Sequence, residues 1–178
     1  MSPALSLWYR LRGFRDVVLV VLVPQAAQAV SIVGGPSKGD LPPHVTIAYP
    51  FPLEAMGDAG TAMLDQVFGL HAEFDFTLHS VQRFGTVAYL APSAEQRFAA
   101  LVTAVQERFP GHPLYGGAFD TYIPHVALGD LSHFSIDVEG AVQQTLPIRA
   151  CVAAVELWGR RRTGWASVRR FSLAPRCP

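Results

Sequence analysis

The chain has 178 residues, with 14 basic and 14 acidic side chains, a formal net charge of zero, 50% hydrophobic residues and 16% charged ones. That length supports one domain with a substantial core, and the composition excludes an intrinsically disordered chain. The charge is unevenly spread: from Arg149 to Pro178 seven arginines stand against one acid, Glu156, so this stretch carries +6 and the rest −6. Such a tail can face phosphates, or can be a solvated arginine-rich hairpin. Cys151 and Cys177 form neither a disulfide framework nor a CxxC metal pair, which points to a reducing compartment.

In chain order, Arg10, Arg12 and Arg15 precede the apolar run Val17 to Val23, and Ala27-Gln28-Ala29 resembles a signal-peptide cleavage site. The run is short, follows Asp16 and ends at Pro24, so it reads as a first buried strand of a cytoplasmic protein. No apolar run approaches a membrane span. Gln25 to Val33 reads as a short helix closed by Gly34-Gly35-Pro36. A loop through Lys38 and Asp40 leads to Leu41-Pro42-Pro43-His44-Val45-Thr46-Ile47-Ala48-Tyr49, a strand ended by Pro50-Phe51-Pro52. Met56, Met63, Leu64, Val67 and Phe68 then recur at helical spacing within Glu54 to Phe68.

Phe74, Phe76 and Leu78 alternate with polar residues, the pattern of a half-exposed strand, and Thr86 to Leu90 forms another after the Phe84-Gly85 turn. Ser93 and Gln96 have the spacing of a capping box. It opens a helix whose stripe is Phe98, Leu101, Val102, Val105 and Phe109. A loop rich in glycine and aromatics, 115–122, delivers a second proline-histidine strand, Tyr122-Ile123-Pro124-His125-Val126-Ala127-Leu128-Gly129. Phe134 to Thr145 reads as a helix stopped by Pro147. Ile148 to Trp158 and Trp165 to Leu173 read as two strands around the basic loop Arg160-Arg161-Arg162-Thr163-Gly164.

The two histidine strands are 81 residues apart and share one shape: proline, His-Val, then a branched aliphatic residue one position later. Side chains of a strand alternate between faces. Val45, Ile47 and Tyr49 therefore point one way, as do Val126 and Leu128. His44 and Thr46 share the other face, and so do His125 and Ala127. Two imidazoles on such strands make a plausible acid–base pair, because histidine serves as base or acid near neutrality. Thr46 lies two residues or about 6.5 Å along the strand from His44, with a hydroxyl to donate on the same face. Ala127 has no hydroxyl for the matching task. His71, His79, His112 and His133 form no HxH or HExxH pair, so no metal site is expected. Tyr115, Phe119 and Tyr122 can stack on a base or simply pack their loop.

His44-Val45-Thr46-Ile47 is similar to the H-x-[ST]-hydrophobic signature of the 2H phosphoesterase superfamily, the 2′-5′ RNA ligase-like and cyclic phosphodiesterase proteins. His125-Val126-Ala127-Leu128 resembles its second copy, with Ala127 replacing Ser or Thr. The resemblance implies an α+β fold over 1–178 as a single bilobal domain. Its two pseudo-symmetric lobes of mostly antiparallel sheet carry outer helices and enclose a central cleft, with one histidine from each lobe. It also implies a metal-independent, cofactor-free phosphoesterase that opens 2′,3′-cyclic phosphates of nucleotides or RNA ends, or cleaves or forms 2′-5′ phosphodiesters. His44 and His125 then face each other across the phosphate as catalytic residues, with His125 expected as base and His44 as acid, and Thr46 donates to a non-bridging phosphate oxygen. The expected partner is a nucleotide or RNA terminus bearing a cyclic phosphate, and the expected state is a monomer off the membrane. Two alternatives stay open at this point: a non-catalytic nucleotide or RNA-end binding module, motivated by Ala127, and an accessory enzyme acting on a phosphorylated substrate other than RNA.

Overall fold

The computed structural model describes residues 13–35, 40–52, 57–119 and 121–176. Lys38, Glu54, Met56, Asp120, Cys177, Arg10 and Arg12 lie outside the described residues. Among the described residues eight strands make one sheet: β1 Asp16–Leu22, β2 His44–Ala48, β3 Phe74–Phe84, β4 Val87–Pro92, β5 Val126–Asp130, β6 Ile148–Val152, β7 Ala154–Arg161 and β8 Gly164–Ser172. Four α-helices of the described residues accompany them: α1 Ala27–Ile32, α2 Asp58–Gly69, α3 Glu95–Arg108 and α4 Ile136–Gln143. None of the described helices is long and apolar enough to cross a membrane.

The strand order is β6-β3-β4-β5-β2-β1-β7-β8, with every ladder antiparallel. It divides into two four-stranded halves that meet at β5 and β2, the two histidine strands. The connections repeat as well: β1-α1-β2 in one half answers β4-α3-β5 in the other. In a flat sheet β6 and β7 would lie six strand spacings apart, roughly 29 Å. One residue, Ala153, joins them, and a residue spans no more than about 3.6 Å. The sheet therefore curls strongly, bringing its far ends together. Leu173 N–H donates to Ala153 O at 2.9 Å, Glu73 N–H to Ala174 O at 2.9 Å and Ala174 N–H to His71 O at 2.8 Å.

Alternation sets what is buried. Val45, Ile47, Val126 and Leu90 are fully enclosed, together with Leu78 on β3. Phe98 of α3 meets Phe74 and Phe76 edge-on at 5.2 Å each, so the expected helical stripe seals this aliphatic face. Full burial of a side chain of this kind contributes about 1.5–3 kcal/mol.

Two expectations change. Ile148 to Trp158 is two strands, β6 and β7, because the chain leaves one end of the sheet at Ala153 and joins the other. The capping box does not form: α3 is preceded by Ala94 at φ 60°, with no side-chain cap. The Ser93 hydroxyl instead accepts from Thr77 N–H at 2.9 Å, where β3 shifts register against β4. A strand donor outcompetes the helix end. Smaller shifts concern α2, which starts at Asp58, and α4, which starts at Ile136 behind a true N-cap, Ser135. The second histidine, His125, directly precedes its strand.

Candidate active site

Val45 pairs with Val126 across the β2/β5 seam. Antiparallel register then sets Thr46 opposite His125 and Ala127 opposite His44. Paired residues share a face, so all four project from the side opposite the buried valines. The two histidines occupy one diagonal of this square, with a diagonal of roughly 7–8 Å between backbones. Thr46 and Ala127 occupy the other diagonal. A pseudo-twofold axis runs through the valine pair. This is the common face that alternation in the sequence calls for.

The imidazoles are held alike. His44 Nδ1 lies 2.7 Å from Pro42 O and His125 Nδ1 lies 2.8 Å from Ile123 O. A carbonyl oxygen only accepts, so Nδ1 carries the hydrogen in both rings and Nε2 is left for chemistry. His79 makes a similar but longer contact, 3.3 Å to Thr77 O, so the local bond alone marks no site. Both central histidines are half-buried. Burial lowers the pKa of His44 most, against the Pro42 carbonyl, and repulsion from His125 lowers it further. Burial likewise lowers that of His125 against the Ile123 carbonyl. His44 therefore senses the charge of His125. His71 is lowered by burial and by Arg97, away from this site.

Around Thr46 the three expected aromatics separate. Tyr122 O–H donates to Thr46 O at 3.0 Å. The Thr46 hydroxyl lies by the Tyr115 phenol and, as a hydrogen-bond partner, works against burial to lower its pKa. Burial raises the pKa of both phenols, so both stay protonated donors at neutral pH. Phe119 is 63% exposed and packs edge-on against Tyr115 at 5.6 Å. Tyr115 sits at φ 53°, and Gly116 and Gly117 follow at 64° and 77°. An aromatic residue in the left-handed region is strained, and here the turn carries its phenol to Thr46. The two glycines were visible in the sequence; the strained tyrosine was not.

Sequence reasoning also missed the aromatic box around His125. Phe84 and Tyr89 meet the ring edge-on at 5.0 and 5.5 Å, and pack on each other at 4.9 Å. Tyr89 is the β4 partner of Ala127. Beside this box opens a cavity of about 700 Å³ between α3, the β3–β4 turn and the 113–123 loop, with His125 and Ala127 on its wall.

Four of the seven arginines of the C-terminal stretch are drawn into structure. Arg169 pairs with Asp65, Arg176 with Asp75, and Arg170 with Glu156 at 3.4 Å, while Arg161 lies 4.5 Å over the Phe14 ring. Glu156 also accepts from Trp158 Nε1–H at 3.0 Å. Of the two open readings of the basic stretch, these contacts favour a hairpin anchored to its own fold. Among the described residues no cluster of three or more His, Cys, Asp or Glu side chains could hold a metal ion.

A family model for the 2′-5′ RNA ligase superfamily matches residues 18–164. No curated protein sequence matches the chain. Among solved structures it is similar to TT0787 of Thermus thermophilus, with a TM-score of 0.59 and 19% identity, covering 91% of this chain and 100% of that one. A structure described as a phosphoesterase matches with a TM-score of 0.56 and 14% identity over 89% and 98% of the two chains. E. coli LigT complexed with NADP+ matches with a TM-score of 0.54 and 14% identity over 91% and 99%. At these identities the structural likeness is one of fold.

Proposed function

The chain belongs to the 2′-5′ RNA ligase superfamily, and on that footing we propose that it is a metal-independent phosphoesterase using His44 and His125 as an acid–base pair on a 2′,3′-cyclic phosphate. The observation that carries the reading is the square around the Val45–Val126 pair, with two imidazoles on one diagonal and each Nδ1 committed to a carbonyl. A phosphate between the rings meets one Nε2 on each side of phosphorus. One imidazole takes a proton from water as the water oxygen attacks, and the other gives a proton to the ester oxygen as its bond to phosphorus breaks. One water is consumed and a phosphomonoester is formed. The Thr46–Tyr115 hydroxyl pair, with one hydrogen free while the two are bonded to each other, supplies a hydrogen bond to a non-bridging oxygen, where charge builds up in the transition state. The same apparatus run on a 2′-5′ diester cleaves or forms that bond.

The LigT structures were obtained with NADP+ and with 3′-AMP, which supports a nucleotide as the ligand. The chain is read as one bilobal domain acting as a monomer, since both histidines come from the same chain. The test is hydrolysis of adenosine 2′,3′-cyclic phosphate with and without chelator. Turnover that persists with chelator and vanishes in both His44→Ala and His125→Ala is expected. Binding without turnover in the wild type would instead favour the non-catalytic reading that Ala127 motivates.

A further inference from the structure

The two histidines are approached differently by the chain. His44 stands inside its strand, paired with Leu22 of β1, and the ladder runs on past it, where Val23 N–H donates to Pro43 O at 2.7 Å. In the other half the β4/β5 ladder ends one residue short of the histidine, at Leu90–Val126. The halves correspond through Val45 and Val126, whose partners are Val21 and Leu90. The residue that matches Val23 is therefore Pro92, two places beyond Leu90. Proline has no N–H to give. The segment leading into His125 thus lacks the backbone donor that holds the segment leading into His44.

One side chain bridges that gap. Tyr122 stands three residues before His125, where the other half has Leu41. Its ring packs against the core, and its O–H donates to Thr46 O at 3.0 Å, in the strand that carries His44. The next residue, Ile123, accepts the His125 Nδ1–H on its carbonyl at 2.8 Å. The anchored tyrosine is thus the immediate neighbour of the carbonyl that orients the imidazole. Val45–Val126 is the one ladder pair between the two histidine strands, so the Tyr122 bond adds a tie across the seam on the side of His125. A further tie, Tyr115 N–H to Tyr49 O at 2.5 Å, lies ten residues upstream of His125. Resting on the acid–base reading above, we infer that Tyr122 is a positioning residue: its bond to the Thr46 carbonyl fixes the approach to His125 against the strand of His44, and so sets the span and the ring orientation of the pair.

The test is Tyr122→Phe, which keeps the ring and its packing and removes only the hydroxyl, set beside Tyr49→Phe. Tyr49 O–H also bonds across the fold, to Asp16 at 2.6 Å, and serves as the control for losing a phenol bond that only holds structure. In Tyr122→Phe, kcat for adenosine 2′,3′-cyclic phosphate should fall by about ten- to a hundredfold, as expected when acid and base shift by up to about 1 Å. KM and the affinity for adenosine 2′-monophosphate should stay within about twofold on the same argument. Tyr49→Phe should leave kcat within about twofold of the wild type. Nitrogen NMR of the imidazoles gives a readout besides activity. Both rings should carry their hydrogen on Nδ1 in the wild type, and in Tyr122→Phe the His125 ring alone should lose part of that form. A Tyr122→Phe protein that keeps both its kcat and the His125 Nδ1–H form overturns the inference. So does an equal change in both histidines, or the same loss of kcat in Tyr49→Phe, since either marks a general loosening of the fold. If the wild type turns over no cyclic phosphate, the acid–base reading fails, yet the nitrogen spectra still decide: a change confined to His125 upholds the positioning role, and unchanged spectra sink it.

Discussion

The titration of His44 and His125 reports on the site most directly, because both pKa values are lowered from 6.5, chiefly by burial. A catalytic pair needs one ring neutral and one protonated, and that state is most populated between the two pKa values. The optimum of kcat/KM should therefore fall below about pH 6.5; an optimum above 7.5 would contradict the burial. Stability follows the same linkage. The unfolded chain binds more protons between the lowered pKa values and 6.5, so the contribution present above 6.5 is lost as pH falls. Urea midpoints should drop from pH 7 to 5.5, and less so in His44→Gln. Thr46 and Ala127 test the other diagonal. Thr46→Ala removes a donor to a charged oxygen, about 1.5–3 kcal/mol, and should cost about ten- to a hundredfold in kcat/KM. Ala127→Thr should retain turnover of base-free ribose cyclic phosphate. If it also impairs the nucleoside substrate, the alanine is there to make room at the cavity wall.

Strands were more legible than helix ends, and the reasons differ by element. The His44 and His125 strands announce themselves by period-two alternation, which survives any tertiary context that buries one face. The Ser93-Gln96 spacing failed because a serine hydroxyl has one best partner, and the Thr77 N–H freed at the β3 shift claimed it. Ile148 to Trp158 read as one strand because its aliphatic pattern runs on through Ala153; nothing local marks a change of neighbours from β3 to β1. The cavity was invisible for a related reason, since its walls come from α3, the β3–β4 turn and the 113–123 loop. β7 also carries a packing constraint that composition hides. A Cβ at Gly159 would fall on the Phe14 ring, itself buried and covered by the Arg161 guanidinium. Gly159→Ala should cost about 1–3 kcal/mol, the range for an overpacked core. Adding Phe14→Leu should restore part of it, a coupling visible in a double-mutant cycle on urea midpoints. A neutral Gly159→Ala would mean that β7 yields at this point.

At the scale of the whole molecule, the site sits on a narrow seam. The two halves of the sheet meet through one β2/β5 ladder pair, Val45–Val126, while the neighbouring ladders are several pairs long. The diagonal between His44 and His125 is therefore set by what fastens the halves elsewhere as much as by the seam. Part of that fastening is the segment after β8: Glu73 N–H donates to Ala174 O, Ala174 N–H to His71 O, and Ala72 and Ala174 form a parallel bridge. Arg176 adds an ion pair to Asp75, but the pair is exposed, and such pairs contribute little. Deleting residues 174–178 while keeping the buried Leu173 removes two backbone hydrogen bonds, each contributing about 0.5–1.5 kcal/mol. The truncated chain should fold, with a urea midpoint lowered by about 1–3 kcal/mol on that estimate. Its kcat should fall by more than its affinity for adenosine 2′-monophosphate, because an in-line reaction is sensitive to a shift of about 1 Å between acid and base. Asp75→Ala alone should leave both nearly unchanged. A truncated protein as active as the wild type would show that the seam fixes the histidine diagonal unaided. Equal losses in Asp75→Ala and in the truncation would move the clasp from the backbone bonds to the ion pair.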